Sequence, residues 1–394
     1  MKSRVRPVMP AASVDSNQST AWDVNDSANT PFADESANAN QIGETNPIAT
    51  RPTLEDVARL AGVALGSASR ALSIPDRVKP ATLERVRRAV EQLGYVRHGP
   101  AQALASRRTR TIAAIYPTLD NPVFAASIQS LQQTLSDLGY QLLVASHDYN
   151  LERESNVLRV IVERGVDAIV FVGTEHVDAV FELVRKYRLP YVLTWSLDEA
   201  RGRQRVGFSY YDSAYEMAAL VVEYGHTQIA VCSGFAKGNE RVRARIEGTR
   251  AALKAAGLEL RPEWVIEQPF SYEGGRQAVL QVTRGSERPT VLICGTDLIA
   301  VGAIGACREL GLRVPEDLSI TGADDVELAS LVVPKLTTIH VPTFEIGVCA
   351  GRRIVDLIEG KEVSDEISLK THLVIRESLR DLSRASTHVH RGVR

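Results

Sequence analysis

The sequence predicts two folded parts: an N-terminal three-helix helix-turn-helix headpiece, then an α/β core of two lobes built on parallel sheets. Three observations predict this. Residues 54–93 carry apolar side chains at helical spacing, broken at Gly62 and again before Pro80. From Thr111 onward, short Val- and Ile-rich runs alternate with amphipathic segments, the pattern of parallel strands crossed by helices. The basic residues are concentrated in the first part. Residues 51–110 hold 12 Lys and Arg against 5 Asp and Glu, a local net of +7 in a chain whose overall net is −2. A basic module in a near-neutral chain suggests a confined polyanion contact, against the plainer alternative of a solvated charged face.

In chain order, residues 1–50 are rich in Ser, Asn, Ala, Asp and Thr, show no apolar period and carry a net of −3. Such a segment buries too little surface to offset its ordering entropy and reads as a disordered tail, or as an overcalled start. The headpiece spans 51–98. Leu54, Val57, Ala58 and Ala61 share one helical face, and Gly62 supplies the turn. Thr53, three residues before Asp56, gives a capping-box-like start. Val63, Ser67, Ala68, Ala71 and Leu72 continue with helical spacing. A third helix follows Pro80 with Leu83, Val86, Val90 and Leu93 on one stripe and Gly94 as its stop. Two ordinary packed helices would give the same local pattern. In a helix-turn-helix, the second helix would lie in the DNA major groove.

Residues 99–110 read as a hinge or linker, 111–380 as the core and 381–394 as a flexible tail. In the core, nine runs read as strands: TIAAIYP, QLLVASH, DAIVFVG, YVLTW, IAVCSG, WVIEQ, TVLICG, LSITGAD and LTTIHV. About ten strands are generous for a single sheet, hence two similar lobes. A cleft between two such lobes, at the carboxyl ends of the strands, suits a small ligand. The four cysteines, Cys232, Cys294, Cys307 and Cys349, form no CxxC pair and lie in apolar runs, so they read as buried thiols and no metal is expected. No stretch is long and apolar enough for a membrane span, and no secretory signal is evident, so a cytoplasmic protein is expected.

Several ordered motifs resemble the lactose/galactose repressor (LacI/GalR) family of transcriptional regulators. TLEDVARLAGV, SRAL and ERVRRAVEQLGYV are similar to the family's headpiece, and TRTIAAIYPTLDNPVFAASI to the start of its core. YGHTQIAVCSG, RIEGTRAALKAAG, TDLIAVGAI, RVPEDLSITGADD and PKLTTIHVP follow in the family's order, so the resemblance covers about residues 52–380. It implies a periplasmic-binding-protein-like core, a homodimer or dimer of dimers, a near-palindromic double-stranded operator and a small effector that shifts the lobes. It places Leu65, Gly66 and Arg70 at base-reading positions. An arginine fork can hold guanine O6 and N7, or else contact phosphate. Ser67 and Ser69 suit phosphate contacts or helix packing. In GPAQALASRR the resemblance implies a hinge helix whose Leu104 wedges into the minor groove. The chain departs from the family at two helix starts: Ala64 stands where Ser or Thr usually caps the second helix, and Lys79 where Ser often precedes the Pro of the third, at a cost of about 0.5–2 kcal/mol for a lost cap.

For the effector, the resemblance points to Arg245, Phe270, Thr296 and Asp324 on one lobe and Asn121 and Phe124 on the other. An acid, a guanidinium and an aromatic face suit a sugar or sugar acid. Thr194 falls where many members carry Asp, which makes the site less acidic and tilts the reading toward an anionic ligand. Trp195 beside it lines the pocket or simply packs. An extracytoplasmic solute-binding protein would need a cleavable signal and no headpiece. A nucleotide-dependent enzyme would need a phosphate loop, and neither GxGxxG nor GxxxxGK[ST] occurs. Ser233 in CSGF is not in a GxSxG elbow. No catalytic residue and no cofactor is expected.

Overall fold

A computed structural model describes residues 51–96, 108–197 and 203–383. The expected tail, Leu104 with most of the hinge, and the last residues lie outside the described residues. The chain divides into two compact units near residue 96.

The first unit holds α1 (Leu54–Ala61), α2 (Leu65–Ser73) and α3 (Pro80–Leu93), with a short 3-10 turn at Pro75–Arg77. Helix α1 begins with the full capping box. Asp56 N donates to Thr53 Oγ1 at 3.3 Å and Thr53 N donates to Asp56 Oδ2 at 2.9 Å. Gly62 and Gly94 end α1 and α3 at φ 61° and 57°, the left-handed turn that glycine adopts without penalty. Ala58, Ala61, Ala68, Ala71 and Ala89 bury around Val57 and Val86. These small side chains let three short helices approach closely enough to share one core.

The second unit opens on β1 (Thr111–Tyr116), α4 (Pro122–Asp137), β2 (Gln141–Ser146), α5 (Leu151–Arg164), β3 (Ala168–Val172), α6 (Asp178–Tyr187), β4 (Tyr191–Ser196) and β5 (Arg205–Phe208). It continues with α7 (Tyr210–Glu223), β6 (Ile229–Ser233), α8 (Glu240–Ala255), β7 (Val265–Glu267), α9 (Tyr272–Thr283), β8 (Val291–Cys294), α10 (Asp297–Glu309), β9 (Ser319–Thr321), α11 (Glu327–Leu331) and β10 (Thr338–His340). Helix α12 (Thr343–Ile358), β11 (Glu366–Ser368) and β12 (His372–Val374) follow.

Lobe 1 is a six-stranded parallel sheet in the order β11-β5-β4-β3-β1-β2. Lobe 2 is a four-stranded parallel sheet in the order β7-β6-β8-β9. Strands β1, β3 and β4 are buried almost throughout, which explains why they read as unbroken apolar runs rather than alternating ones. Two features depart from the expectation. LTTIHV pairs antiparallel with β12 on one side and runs parallel beside the end of β9 on the other, where Gly322 N donates to Thr337 O and Asp324 N to Ile339 O, each at 2.9 Å. Strands β5, β11 and β12, of three or four residues, lie among polar residues too short to show a period. Among the described residues the chain crosses between lobes three times: after β5, before α12 and before β12. Helix α12 packs back on α4 in lobe 1, with Ile346, Ala350 and Ile354 in the same core as Leu131 and Leu135.

Candidate functional site

The headpiece presents one face of α2 to solvent. Leu65 is 45% exposed, Gly66 and Arg70 are exposed, and Ser69 is half-buried. On the opposite face, Ala68 and Ala71 are buried. Arg70 Nε donates to Gly66 O at 3.1 Å, which lays the side chain back along its own helix. The N-cap of α2 is Ala64, in extended backbone, and no side chain caps the helix. Lys79 before α3 likewise gives no side-chain cap.

The core brings a second set of residues together in a cleft between its lobes. Lobe 1 contributes Asn121 and Phe124 from the start of α4, Tyr149 after β2 and Trp195 at the end of β4. Lobe 2 contributes Asn239 and Arg241 at the start of α8, Arg245 one turn on, Phe270 after β7, Thr296 before α10 and Asp324 after β9. Nearly all sit at or just beyond the carboxyl ends of parallel strands, where strand-to-helix turns leave side chains free of the sheet. A wider mouth, lined by Thr118, Phe235 and Lys237 among others, adjoins it.

The walls are aromatic. The rings of Phe124 and Trp195 meet edge-on at 4.8 Å, and Tyr149 and Phe270 face each other across the lobes at 5.6 Å. The Arg245 guanidinium lies over the Tyr210 ring at 4.2 Å. Phe270 sits against the backbone of Gly234, where an added Cβ would come within 2.4 Å of the ring. Glycine in CSGF therefore makes room for an aromatic wall. Three lining residues that are not glycine hold positive φ: Tyr149 at 57°, Trp195 at 74° and Asp324 at 122°. Each costs on the order of 1–3 kcal/mol and persists because the surrounding packing over-determines it, a concentration of strain typical of binding sites.

The electrostatics are set by burial. Desolvation, reinforced by the neighbouring Asp297, pushes the Asp324 carboxyl well above the usual carboxylate range, while Arg245 pulls the other way. Behind it, burial raises Asp297 to about 7, against the pull of Thr338 Oγ1 at 2.6 Å and Val326 N at 2.9 Å. The lobes are pinned to each other beside the cleft. Thr174 N of lobe 1 donates to Glu240 Oε1 of lobe 2 at 2.7 Å, and Arg243 Nη1 donates to Glu175 Oε2 at 2.8 Å.

Of the residues singled out in the sequence, the cleft gathers Asn121, Phe124, Arg245, Phe270, Thr296 and Asp324. It does not include Thr194. That hydroxyl is buried and donates to Phe171 O at 2.7 Å inside the sheet, and alternation along β4 turns the neighbouring Trp195 to the cleft instead. The argument that Thr194 makes the pocket less acidic therefore falls. Sequence reasoning also missed Tyr149, Asn239 and Arg241. The available signal was their position just after strands β2 and β6.

Comparison with known proteins agrees with this arrangement. Residues 53–98 match the bacterial regulatory proteins of the lacI family, and residues 218–379 match the periplasmic binding protein-like domain. The chain is 31% identical over 332 residues to the HTH-type transcriptional repressor PurR of Erwinia tasmaniensis, covering 84% of this chain and 97% of that protein. It resembles the lac repressor dimer bound to operator and the anti-inducer ONPF with a TM-score of 0.76 and 25% identity, over 84% of this chain and 99% of that one. It resembles the transcriptional regulator CelR in its cellobiose complex with a TM-score of 0.63 and 29% identity, over 83% and 100%. These relatives are transcriptional regulators, not enzymes. With a helix-turn-helix headpiece, a two-lobed periplasmic-binding-protein-like core and this degree of identity over most of its length, the chain belongs to the lacI family of bacterial transcriptional repressors.

Proposed function

We propose that this chain is an effector-gated repressor that binds a near-palindromic operator as a homodimer and responds to a carbohydrate-like effector, a sugar or sugar acid, held between the lobes. The headpiece is 51–98, the hinge 99–110 and the core 111–380. Leu65, Gly66, Ser69 and Arg70 meet DNA from the exposed face of α2, and Leu104 wedges into the minor groove at the operator centre. Asn121, Phe124, Arg245, Phe270, Thr296 and Asp324 hold the effector. A protein that acts on the chromosome works in the cytoplasm. No helix among the described residues is long and apolar enough to cross a membrane.

The observation that carries this reading is the cleft: polar and aromatic side chains from both lobes converge at the strand ends over strained backbone. A ligand touching both lobes changes their relative energy and so can bias the DNA-binding state. A sugar is supported by rings for C–H faces beside an acid and a guanidinium for hydroxyls, and by the cellobiose complex of one similar regulator. The homodimer is supported by an apolar patch on lobe 2. Tyr272, Leu328, Leu331 and Val333 are exposed there, the last two at 66% and 87%, around a groove lined by Leu298, Val301 and Val326.

The test is binding-site selection from random duplex DNA with the full-length protein, alone and with a panel of sugars and sugar acids. Recovery of a near-palindrome with a flexible pyrimidine–purine centre is expected. No enrichment in any condition, with folded protein, would overturn the reading.

A further inference from the structure

The cleft's hydrogen-bonding inventory narrows the effector class, and this step rests on the cleft being the effector site as proposed above. Charge alone does not decide the matter. Arg241 is offset by Glu240, whose Oε1 lies 3.9 Å from Arg241 Nε, and burial favours the uncharged form of Asp324. What decides is which lining groups are already occupied. Asn121 caps α4, its Oδ1 accepting from Val123 N at 3.2 Å. Asn239 caps α8, its Oδ1 accepting from Val242 N at 3.4 Å and from Arg241 Nε at 3.3 Å. Capping fixes the orientation of both amides and leaves each one's NH2 group, a pure donor, for a ligand.

Four further groups add donors. The Trp195 indole N–H is buried with no partner among the described residues, in a side chain only 1% exposed. Arg241 is 8% exposed, and beyond its Nε no described residue accepts from its guanidinium. Arg245 stacks on Tyr210 and has no hydrogen-bond acceptor among the described residues. Thr296 Oγ1 accepts from Ile299 N at 3.4 Å, which leaves its proton to donate. Against these donors, Asp324 is the one acidic side chain among the described lining residues, and the Tyr149 hydroxyl acts in either sense.

A neutral sugar is poorly matched to such a wall, because every hydroxyl must donate as well as accept. A carboxylate accepts only, takes up to about four donors, and suits the planar guanidinium fork. We propose that the effector is a small polyhydroxy carboxylate, its carboxylate received by Arg241 and Asn239 and its hydroxyls by Arg245 and Asp324. Arg241 thereby sets specificity for the acid over the corresponding neutral sugar.

The experiment is calorimetric titration of the full-length protein with matched probes: D-gluconate against D-glucose, D-galacturonate against D-galactose, and hypoxanthine as a flat neutral base. An acid is expected to bind more tightly than its neutral partner by about 10- to 100-fold, the scale of one hydrogen bond to a charged group. Arg241→Gln should erase that preference by weakening the acid more than the neutral sugar. If Arg241→Gln leaves Glu240 unpaired and fails to fold, Arg241→Lys keeps the charge but loses the fork, and should still reduce the preference. Neutral sugars binding as tightly as their acids would overturn the carboxylate assignment while leaving the carbohydrate reading intact. Binding of hypoxanthine alone, or of none of the five, would overturn both.

Discussion

Arg70 and Arg245 are the side chains on which the two proposed binding events turn, and each is held in a way that a ligand can exchange. The Arg70 bond to Gly66 O is solvent-exposed and therefore contributes little net stability, so rotating the guanidinium toward a base edge costs little. Arg70→Ala should relax preference at one operator position by about 1–3 kcal/mol, measured by competition among single-base operator variants. Uniform weakening across all variants would make Arg70 a phosphate contact. Arg245→Ala removes the guanidinium over Tyr210 and should abolish the effector response in an operator-binding titration while leaving effector-free DNA affinity unchanged. An unchanged response would remove Arg245 from the pocket. Asp297 gives a prediction with a definite sign. Its folded pKa of about 7 lies above the ordinary 3.8, so between those values the folded state binds more protons than the unfolded state. Stability from this group is therefore lost as pH rises through that window. The melting temperature of the wild type minus that of Asp297→Asn should fall from pH 4 to pH 8, and a flat difference would overturn the assignment.

Caps and strand ends govern the elements. Helix α1 has its reciprocal capping box, whereas α2, the helix proposed to meet DNA, starts on Ala64 with φ −63° and ψ 148°. That is already cap geometry lacking only an oxygen. Ala64→Ser should stabilise α2 by about 0.5–2 kcal/mol, seen as slower hydrogen exchange of its first-turn amides in the full chain. Exchange no slower than in the wild type would mean the serine does not cap. Residues 54–93 were legible because a capping box, a glycine stop and an i, i+3, i+4 stripe are local signals. The core strands were legible for the same reason where burial on both faces made long apolar runs. Strands β5, β11 and β12 were not, since three or four residues cannot show a period. Thr194 and Trp195 show a subtler limit. Alternation says they face opposite ways, but only the sheet's packing says which faces the cleft.

At the scale of the whole molecule, the lobes meet through polar contacts that can be remade. Glu240 Oε1 accepts from Thr174 N, and an added Cβ on Gly173, at φ 91°, would stand 2.8 Å from that oxygen. The seam is built for close approach, and the cleft beside it is lined from both lobes, so a ligand held there as proposed would contact both sides. The apolar patch around Leu331 belongs to the same scale. Leu331→Asp places a charge at the centre of the proposed dimer face, where burial without a partner is costly. It should convert the protein to monomers in sedimentation at micromolar concentration and weaken binding to a full operator more than to a half-site. A variant that still sediments as a dimer would put the interface elsewhere.

The sequence by itself determined the order of elements, the headpiece helices and their stops, the two-lobed parallel core, and six of the side chains that line the cleft. The elements follow from local periodicity and stop signals, and the six side chains from the resemblance of the motifs that carry them to the LacI/GalR family. Only the tertiary structure decided that the chain crosses between lobes three times and that LTTIHV pairs antiparallel with β12. It alone brought Tyr149, Asn239 and Arg241 to the pocket, turned Thr194 away from it, and showed which polar atoms there are already occupied. The physical reason is that a parallel sheet gathers turns that are far apart in sequence at one edge. Whether a given amide or guanidinium remains free to meet a ligand depends on partners that no local window contains.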